Sequence, residues 1–302
     1  MTLNDFKPLE IGDKGTFDSF LRQDPPEISE LTFTNLFMWR HKHRPVWLQT
    51  EACLLIIFRQ AGTAPYGLPP VGPGDKKKAL QVLCECLGEM TPVVRICRVP
   101  EHFIERHVDP DRYDCVLDVD NSDYIYRSQD LISLAGRKYH RKKNQVNRFN
   151  KTYQFEYREM DAELIECFMD MQENWCQIKS CVDNQDLLTE DYAIREALTH
   201  FQELDYRGGA IQIGSRLEAI SLGEPLNSEI AVIHIEKANP EIPGLYAAMN
   251  QLFCSHAWSE MTYINREQDL GIEGLRNAKK SYHPDRMVMK YIITPRTAVS
   301  DL

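Results

Sequence analysis

Apolar positions recur at helical spacing over residues 9–23 and 28–41, and Pro25-Pro26 separates the two runs. The period then shortens to that of a hairpin over 46–60. A Gly- and Pro-rich passage, 62–74, carries Tyr66-Gly67-Leu68-Pro69-Pro70 and leads into a helix over 76–90 and a strand over 93–99. The second half follows a similar order. It predicts a basic helix over 130–149, a strand over 154–159, and helices over 161–178 and 191–204. Strands over 209–213 and 218–223 form a hairpin around Gly214-Ser215-Arg216, and a strand over 229–236 precedes a helix over 245–258. A strand over 262–266, a helix over 272–283 and a closing strand over 287–293 complete the second sheet. The fold class is α/β (α+β), in two domains spanning 1–120 and 121–302.

Composition narrows this picture without changing it. A chain of 302 residues suits two ordinary cores, and 43% hydrophobic and 10% aromatic content is that of a globular protein. The longest apolar run, Cys53 to Phe58, is too short to cross a bilayer, and the N-terminus shows no secretory pattern, so the expected location is the cytoplasm. Nine cysteines, an odd number without paired CxxC elements or a histidine set, argue against a disulfide framework and against a metal site. Cys84 with Cys86 on a helix and Cys176 with Cys181 are too sparse for zinc, and Cys254 reads as core. A net charge of -10 opposes general attraction to nucleic acid or anionic membranes, so any such binding needs a local patch.

One such patch exists. Residues 137–151 hold seven Lys or Arg and no acid. Leu131, Ala135, Tyr139, Val146 and Phe149 form a buried stripe, leaving Arg137, Arg141, Asn144 and Arg148 along another face with Lys138 nearby. That face suits phosphates; a merely solvated face is the alternative.

The densest mixture of opposite charges lies at a strand-to-helix junction over 263–284. Alternation puts Asn265 and Glu267 on one face of the strand end and Arg266 on the other, with Asp269 placed to cap the next helix. Along that helix Ile272, Leu275, Ala278 and Tyr282 fall on an inner face, and Arg276, Lys279, Lys280 and His283 on a polar side, until Pro284 stops it. A ligand site and a structural ion network both fit these residue types.

The run Asn265-Arg266-Glu267-Gln268-Asp269-Leu270-Gly271, followed by Gly274-Leu275-Arg276, Lys279, Tyr282 and Pro284, resembles the signature of bacterial proteins of unknown function that are similar to the C-terminal domain of phosphatidylglycerol lysyltransferases. Asn35-Leu36-Phe37-Met38-Trp39 is a further shared motif, best read as a core helix. The resemblance implies two tandem GNAT-like domains in a Fem-related family, the first a degenerate scaffold and the second carrying an acyl-transfer site. It implies a transferase moving an aminoacyl or acyl group to an amine or hydroxyl; a non-catalytic phosphate- or ligand-binding module on the same fold is the rival reading.

Such chemistry needs an amine or hydroxyl to lose a proton, donors for an oxyanion and a protonated leaving group. His234 is a candidate general base, with a core histidine as its alternative, and Glu267 and Asp269 are candidate catalytic carboxylates. Arg276 and Lys279 would stabilise the donor carbonyl or its phosphate, and Glu224, Glu236 and Asn265 would face the acceptor. No cofactor is expected to bind tightly. The co-substrate is aminoacyl-tRNA, through its 3' arm on the basic helix, or acyl-coenzyme A through its phosphate, and the acceptor is a small molecule or a lipid. The donor turn, Ala238-Asn239-Pro240-Glu241-Ile242-Pro243-Gly244, has two prolines and an acid where a pyrophosphate loop offers amides, which counts against coenzyme A. His234 and Lys237 stand where the lysyltransferases carry an acidic residue and an arginine, which puts the same amino-acid specificity in question.

Overall fold

The computed structural model describes residues 2–166, 168 and 185–296. The chain divides into two compact units, one built from the chain up to Asp123 together with residues from Val288 onward, the other from Tyr124–Met287. In chain order the first unit holds β1 (Lys7–Pro8), α1 (Lys14–Gln23), α2 (Phe33–Met38), α3 (Arg40–His43), β2 (Val46–Gln49), β3 (Leu54–Phe58), β4 (Tyr66–Gly67), α4 (Lys76–Gly88), β5 (Ile96–Pro100), α5 (Glu101–His107) and β6 (Tyr113–Leu117). The second continues with β7 (Asp123–Arg127), α6 (Ser128–Ser133), α7 (His140–Thr152), β8 (Phe155–Glu159), α8 (Gln185–Thr199), α9 (Phe201–Leu204), β9 (Arg207–Ile213), β10 (Arg216–Pro225), β11 (Ile230–Ala238), α10 (Leu245–Ala257), β12 (Tyr263–Asn265), α11 (Glu273–Lys280) and β13 (Arg286–Val288). A last strand, β14 (Lys290–Pro295), returns to the first unit.

The first unit's sheet runs β1-β2-β3-β4-β5-β14-β6. All five residues of β3 are buried, as expected for an uninterrupted apolar run covered on both faces. Thr32 caps α2 by accepting the Asn35 amide at 3.1 Å, and Asp75 caps α4 by accepting those of Lys77 and Lys78 at 2.9 and 3.1 Å.

The second unit's sheet runs β13-β7-β12-β11-β10-β9-β8. β10 pairs antiparallel with β9 and β11, whereas β11 and β12 are parallel and pair only over Ile230↔Tyr263, Ala231↔Ile264 and Val232↔Asn265. Beyond Asn265 the strand β12 ends while β11 runs on to Ala238, so the two part. α10 covers the sheet with Leu245, Ala248, Met249, Phe253 and Cys254, all fully buried, and α6 and α7 pack beside it with Leu131, Val146 and Phe149, joined by Tyr139 from the turn before α7. Truncating Phe253 here would cost about 3–5 kcal/mol.

Four expectations are corrected. The basic helix is not continuous, because Leu134 and Gly136 take positive φ and break it between α6 and α7, which leaves Ala135 exposed. α11 is turned away from its expected face, with Ile272, Leu275 and Ala278 outward and Lys279 buried, while Tyr282 is buried as expected. The stretch 287–293 is two strands, and its second part pairs with β5 and β6 in the first unit's sheet instead of closing the second. Asp269 does not cap α11, whose N-cap position is Ile272, without a side-chain hydrogen bond. The helix expected over 161–178 begins at residue 162 and for the most part lies outside the described residues, as do Cys176 and Cys181.

Candidate functional site

Where β10 crosses β11, Leu222 pairs with Ile235 and Gly223 with Ile233, so His234 is the extra residue of a β-bulge. Gly223 permits the close approach, since a Cβ there would lie 2.5 Å from the Val232 carbonyl oxygen. The bulge falls just past the last pair between β11 and β12. Its imidazole is buried, with Nε2 2.8 Å from Oε1 of Glu224 and Nδ1 2.8 Å from Oε1 of Glu267. Both ring nitrogens face carboxylate oxygens, and only the imidazolium can donate to both. Burial alone would lower the histidine's pKa, but hydrogen bonds to Glu224 and Glu267 reverse this and push it up to about 9. His234 is therefore an imidazolium near neutral pH and not the general base expected of it. Two carboxylates from different segments thus converge on one imidazole.

Glu267 reaches His234 from a backbone held in the left-handed region, at φ 56. The turn is set by Asn265, fully buried, whose Oδ1 accepts the Glu267 amide at 2.7 Å. Neighbouring backbone fixes it further: the Arg266 amide donates to the Tyr124 carbonyl and the Tyr124 amide to the Glu267 carbonyl.

The adjacent residues form a second cluster of opposite sign. Arg266 Nη2 donates to Oε1 of Glu236 at 2.8 Å, and Asn250 on α10 donates to the other oxygen of Glu236 at 2.8 Å. The Arg266 guanidinium lies 4.6 Å from the centre of the Tyr282 ring, and the Lys142 ammonium 4.0 Å from the same centre. Arg266 Nη1 and Asn250 Oδ1 are buried and find no hydrogen-bond partner among the described residues. Burial and the repulsion of Arg266, only partly offset by Glu236, pull Lys142 down to about 8.

Below these groups Asp269 is fully buried. It accepts Arg276 Nε and Nη2 at 2.8 Å each, the Tyr124 hydroxyl at 2.6 Å and the Gly271 amide at 2.9 Å. The Arg276 guanidinium outweighs desolvation and holds its carboxyl down at about 2. Lys279 is buried and donates to the Arg266 carbonyl, while its own carbonyl accepts the Tyr126 hydroxyl at 2.9 Å. Asp269, Arg276 and Lys279 thus fasten the 266–271 turn and α11 to the sheet, which is the structural alternative raised for this run, and none of the three is placed as a catalytic group. Glu236 is likewise committed to Arg266 and Asn250.

The family defined by the C-terminal region of phosphatidylglycerol lysyltransferase matches residues 23–294. The chain belongs to that family. A conserved protein of unknown function from Bacteroides thetaiotaomicron has the same fold, at TM-score 0.89 and 31% identity over 96% of this chain and 99% of that one. The C-terminal domain of a putative lysylphosphatidylglycerol synthetase from Agrobacterium fabrum superposes at TM-score 0.67 with 11% identity, covering 95% and 92%. L-PGS from Bacillus licheniformis superposes at 0.64 with 14% identity, covering 95% and 93%. These two likenesses establish the tandem GNAT-like fold. An uncharacterized protein of Mycoplasmoides gallisepticum is 22% identical over 190 residues, 60% of this chain and 59% of that protein, less than two thirds of its length.

In this member of the lysyltransferase C-terminal family, α7 presents Arg141, Asn144 and Arg148 to solvent, as the pattern predicts, and Arg137 is exposed in the turn that precedes it, while Lys138 lies 3.5 Å from Asp130. The donor turn uses several of its own amides. Asn239 donates to the Glu218 carbonyl, Glu241 to the Asn239 side chain, Ile242 to the Asn239 carbonyl and Leu245 to the Ile242 carbonyl; Pro240 and Pro243 have none. Gly244 presses on α7, where a Cβ would meet the Gln145 carbonyl at 2.5 Å. Sequence reasoning missed Lys142 and the orphaned Arg266 nitrogen. Lys142 had a signal: with Tyr139, Val146 and Phe149 it completes the spacing of the buried stripe. Among the described residues no helix is long and apolar enough to cross a membrane, and no three His, Cys, Asp or Glu side chains are grouped to hold a metal.

Proposed function

We propose that this family member transfers an aminoacyl group from an activated ester to an amine or hydroxyl acceptor at the parting of β11 and β12. The observation that carries the reading is the Glu224–His234–Glu267 trio, two carboxylates and an imidazole brought together at that opening. Carboxylate oxygens there suit an ammonium group, which an aminoacyl ester has and a simple acyl thioester lacks. The donor turn, with two prolines, several of its amides already donating within the fold and Glu241 exposed, is a poor seat for a coenzyme A pyrophosphate. The exposed basic row of α7 suits the phosphates of a tRNA 3' arm instead. In the step itself the acceptor oxygen or nitrogen bonds to the ester carbonyl carbon, the bond from that carbon to the donor ribose oxygen breaks, and the acceptor's proton ends on that oxygen. The likeness to a putative lysylphosphatidylglycerol synthetase domain supports an aminoacyl donor and admits a lipid as well as a small-molecule acceptor.

One feature favours a second reading, a non-catalytic binding module on the same fold. His234 is committed as an imidazolium, so the trio binds charge without supplying a base.

Purified protein incubated with labelled aminoacyl-tRNAs and a panel of amines, alcohols and phosphatidylglycerol vesicles should release the label to one acceptor class. Glu267→Gln should suppress that transfer by about 10²-fold or more. Binding of aminoacyl-tRNA should weaken steeply with salt. Tight binding without transfer to any acceptor would leave the binding module standing.

A further inference from the structure

Lys142 and Arg266 approach the same tyrosine ring, and Glu236 is the carboxylate that offsets them. Tyr126 and Tyr282 are both pushed above the ordinary phenol range by burial, so neither contributes a negative charge. Two cations against one carboxylate leave a single positive charge beside Tyr282, with Arg266 largely buried and Lys142 half-buried. Desolvation makes that excess unfavourable, and loss of the Lys142 proton or the arrival of an anion relieves it. The orphaned Arg266 nitrogen supplies the donor such an anion would take, and Lys142 the second cation.

We propose that Lys142 and Arg266 form a subsite for one phosphodiester group, seated over Tyr282. A phosphodiester carries one negative charge, which matches the excess, whereas a phosphomonoester near neutral pH brings close to two. Its unesterified oxygens suit one contact from a guanidinium and one from an ammonium. Lys142 also stands next to Arg141, the exposed cation of the α7 row, so a nucleotide strand tracking that row would bring a phosphate inward at this point. The subsite rests on the proposed transfer reaction only for the source of the phosphodiester: the donor's 3' arm, which the α7 row favours, or an acceptor headgroup.

The test uses full-length protein with its lysines carbon-labelled at Cε, the Lys142 signal being assigned by its loss in Lys142→Met. Two soluble phosphodiesters serve as probes: cytidylyl-adenosine for the donor end and glycerophosphoglycerol for a headgroup. Either should raise the Lys142 titration midpoint from about 8 and bind about tenfold more weakly, or worse, to Lys142→Met. Glu236→Gln, which keeps one acceptor oxygen and removes the charge, should bind the same probe more tightly. A response to the dinucleotide alone assigns the site to the donor, and one to glycerophosphoglycerol alone assigns it to the acceptor, the chemistry standing in both. A midpoint unmoved by both probes, or affinity unchanged in a Lys142→Met protein that retains its wild-type unfolding transition, overturns the subsite. Aminoacyl transfer measured on the same samples separates the two readings: transfer without the Lys142 response removes this subsite alone, and the response without transfer removes the proposed reaction alone.

Discussion

His234 holds its charge because Glu224 and Glu267 face it from two different segments. Its folded pKa, about 9, lies above the ordinary 6.5, so the stabilisation it brings is complete below pH 6.5 and is lost as pH rises through about 9. A shift of that size corresponds to about 3 kcal/mol for a fully buried group. His234→Asn should therefore be less stable than wild type by about that amount near pH 6, with the gap in chemical unfolding free energy closing above about pH 9.5. A gap that does not change with pH would show that the imidazole is neutral in the fold. The three residue types were visible in the sequence as candidates, but their convergence was not. It depends on a bulge that one extra residue creates between two strands, and on a left-handed Glu267, neither of which leaves a trace in hydrophobic alternation. Lys142 was hidden for the opposite reason, because a basic residue in a basic run draws no notice unless its place on the buried stripe is counted.

At the scale of elements, α11 shows how ion pairing overrides an apolar pattern. Read from sequence, Ile272, Leu275 and Ala278 face inward together with Tyr282; in the fold only Tyr282 does, the other three face out, and Lys279 is buried with Arg276 half-buried beside it. The inward face is polar because its partners come from elsewhere in the chain: Asp269 takes Arg276, the Arg266 carbonyl takes Lys279, and the Lys279 carbonyl takes Tyr126. A helix of eight residues offers too few positions for periodicity to outvote such contacts. The strand, the turn and the helix were each legible, and so was the motif's density of charge; the face was not. Asp269→Asn should cost about 3 kcal/mol, since it leaves Arg276 facing a neutral amide in a buried setting. Arg276→Ala should cost at least as much, since it strands the Asp269 carboxylate, whose side chain is 1% exposed against 31% for Arg276. In a double-mutant cycle the pair should show a coupling of about 1–3 kcal/mol, and additive losses would mean that the two groups act separately.

At the scale of the whole molecule, the last strand is the part of the fold the sequence concealed most completely. Residues 287–293 read as one strand, but the chain passes between sheets within it, and β14 inserts between β5 and β6 of the first unit. Hydrophobic alternation reports that a segment is extended, not which sheet receives it. The marker of its destination is Lys290, fully buried, whose ammonium lies 2.6 Å from both Glu30 and Asp123. Glu30 is also 3.1 Å from Arg98, itself 2.8 Å from Asp118, and Asp123 accepts the Ser29 amide and hydroxyl at 2.8 and 3.0 Å. For Glu30, desolvation outweighs the pull of Lys290 and raises the pKa, so this network depends on every charge being answered. Lys290→Met fills the space of the stem but leaves two buried carboxylates facing each other without their common cation. It should destabilise the first unit by about 3–5 kcal/mol, read as faster amide exchange across β5, β6 and β14. Adding Glu30→Gln and Asp123→Asn to Lys290→Met removes the stranded charges and should restore much of the loss, an outcome that simple loss of lysine packing would not give. If all three strands keep wild-type protection in Lys290→Met, the charge network is not what holds the returning strand in its sheet.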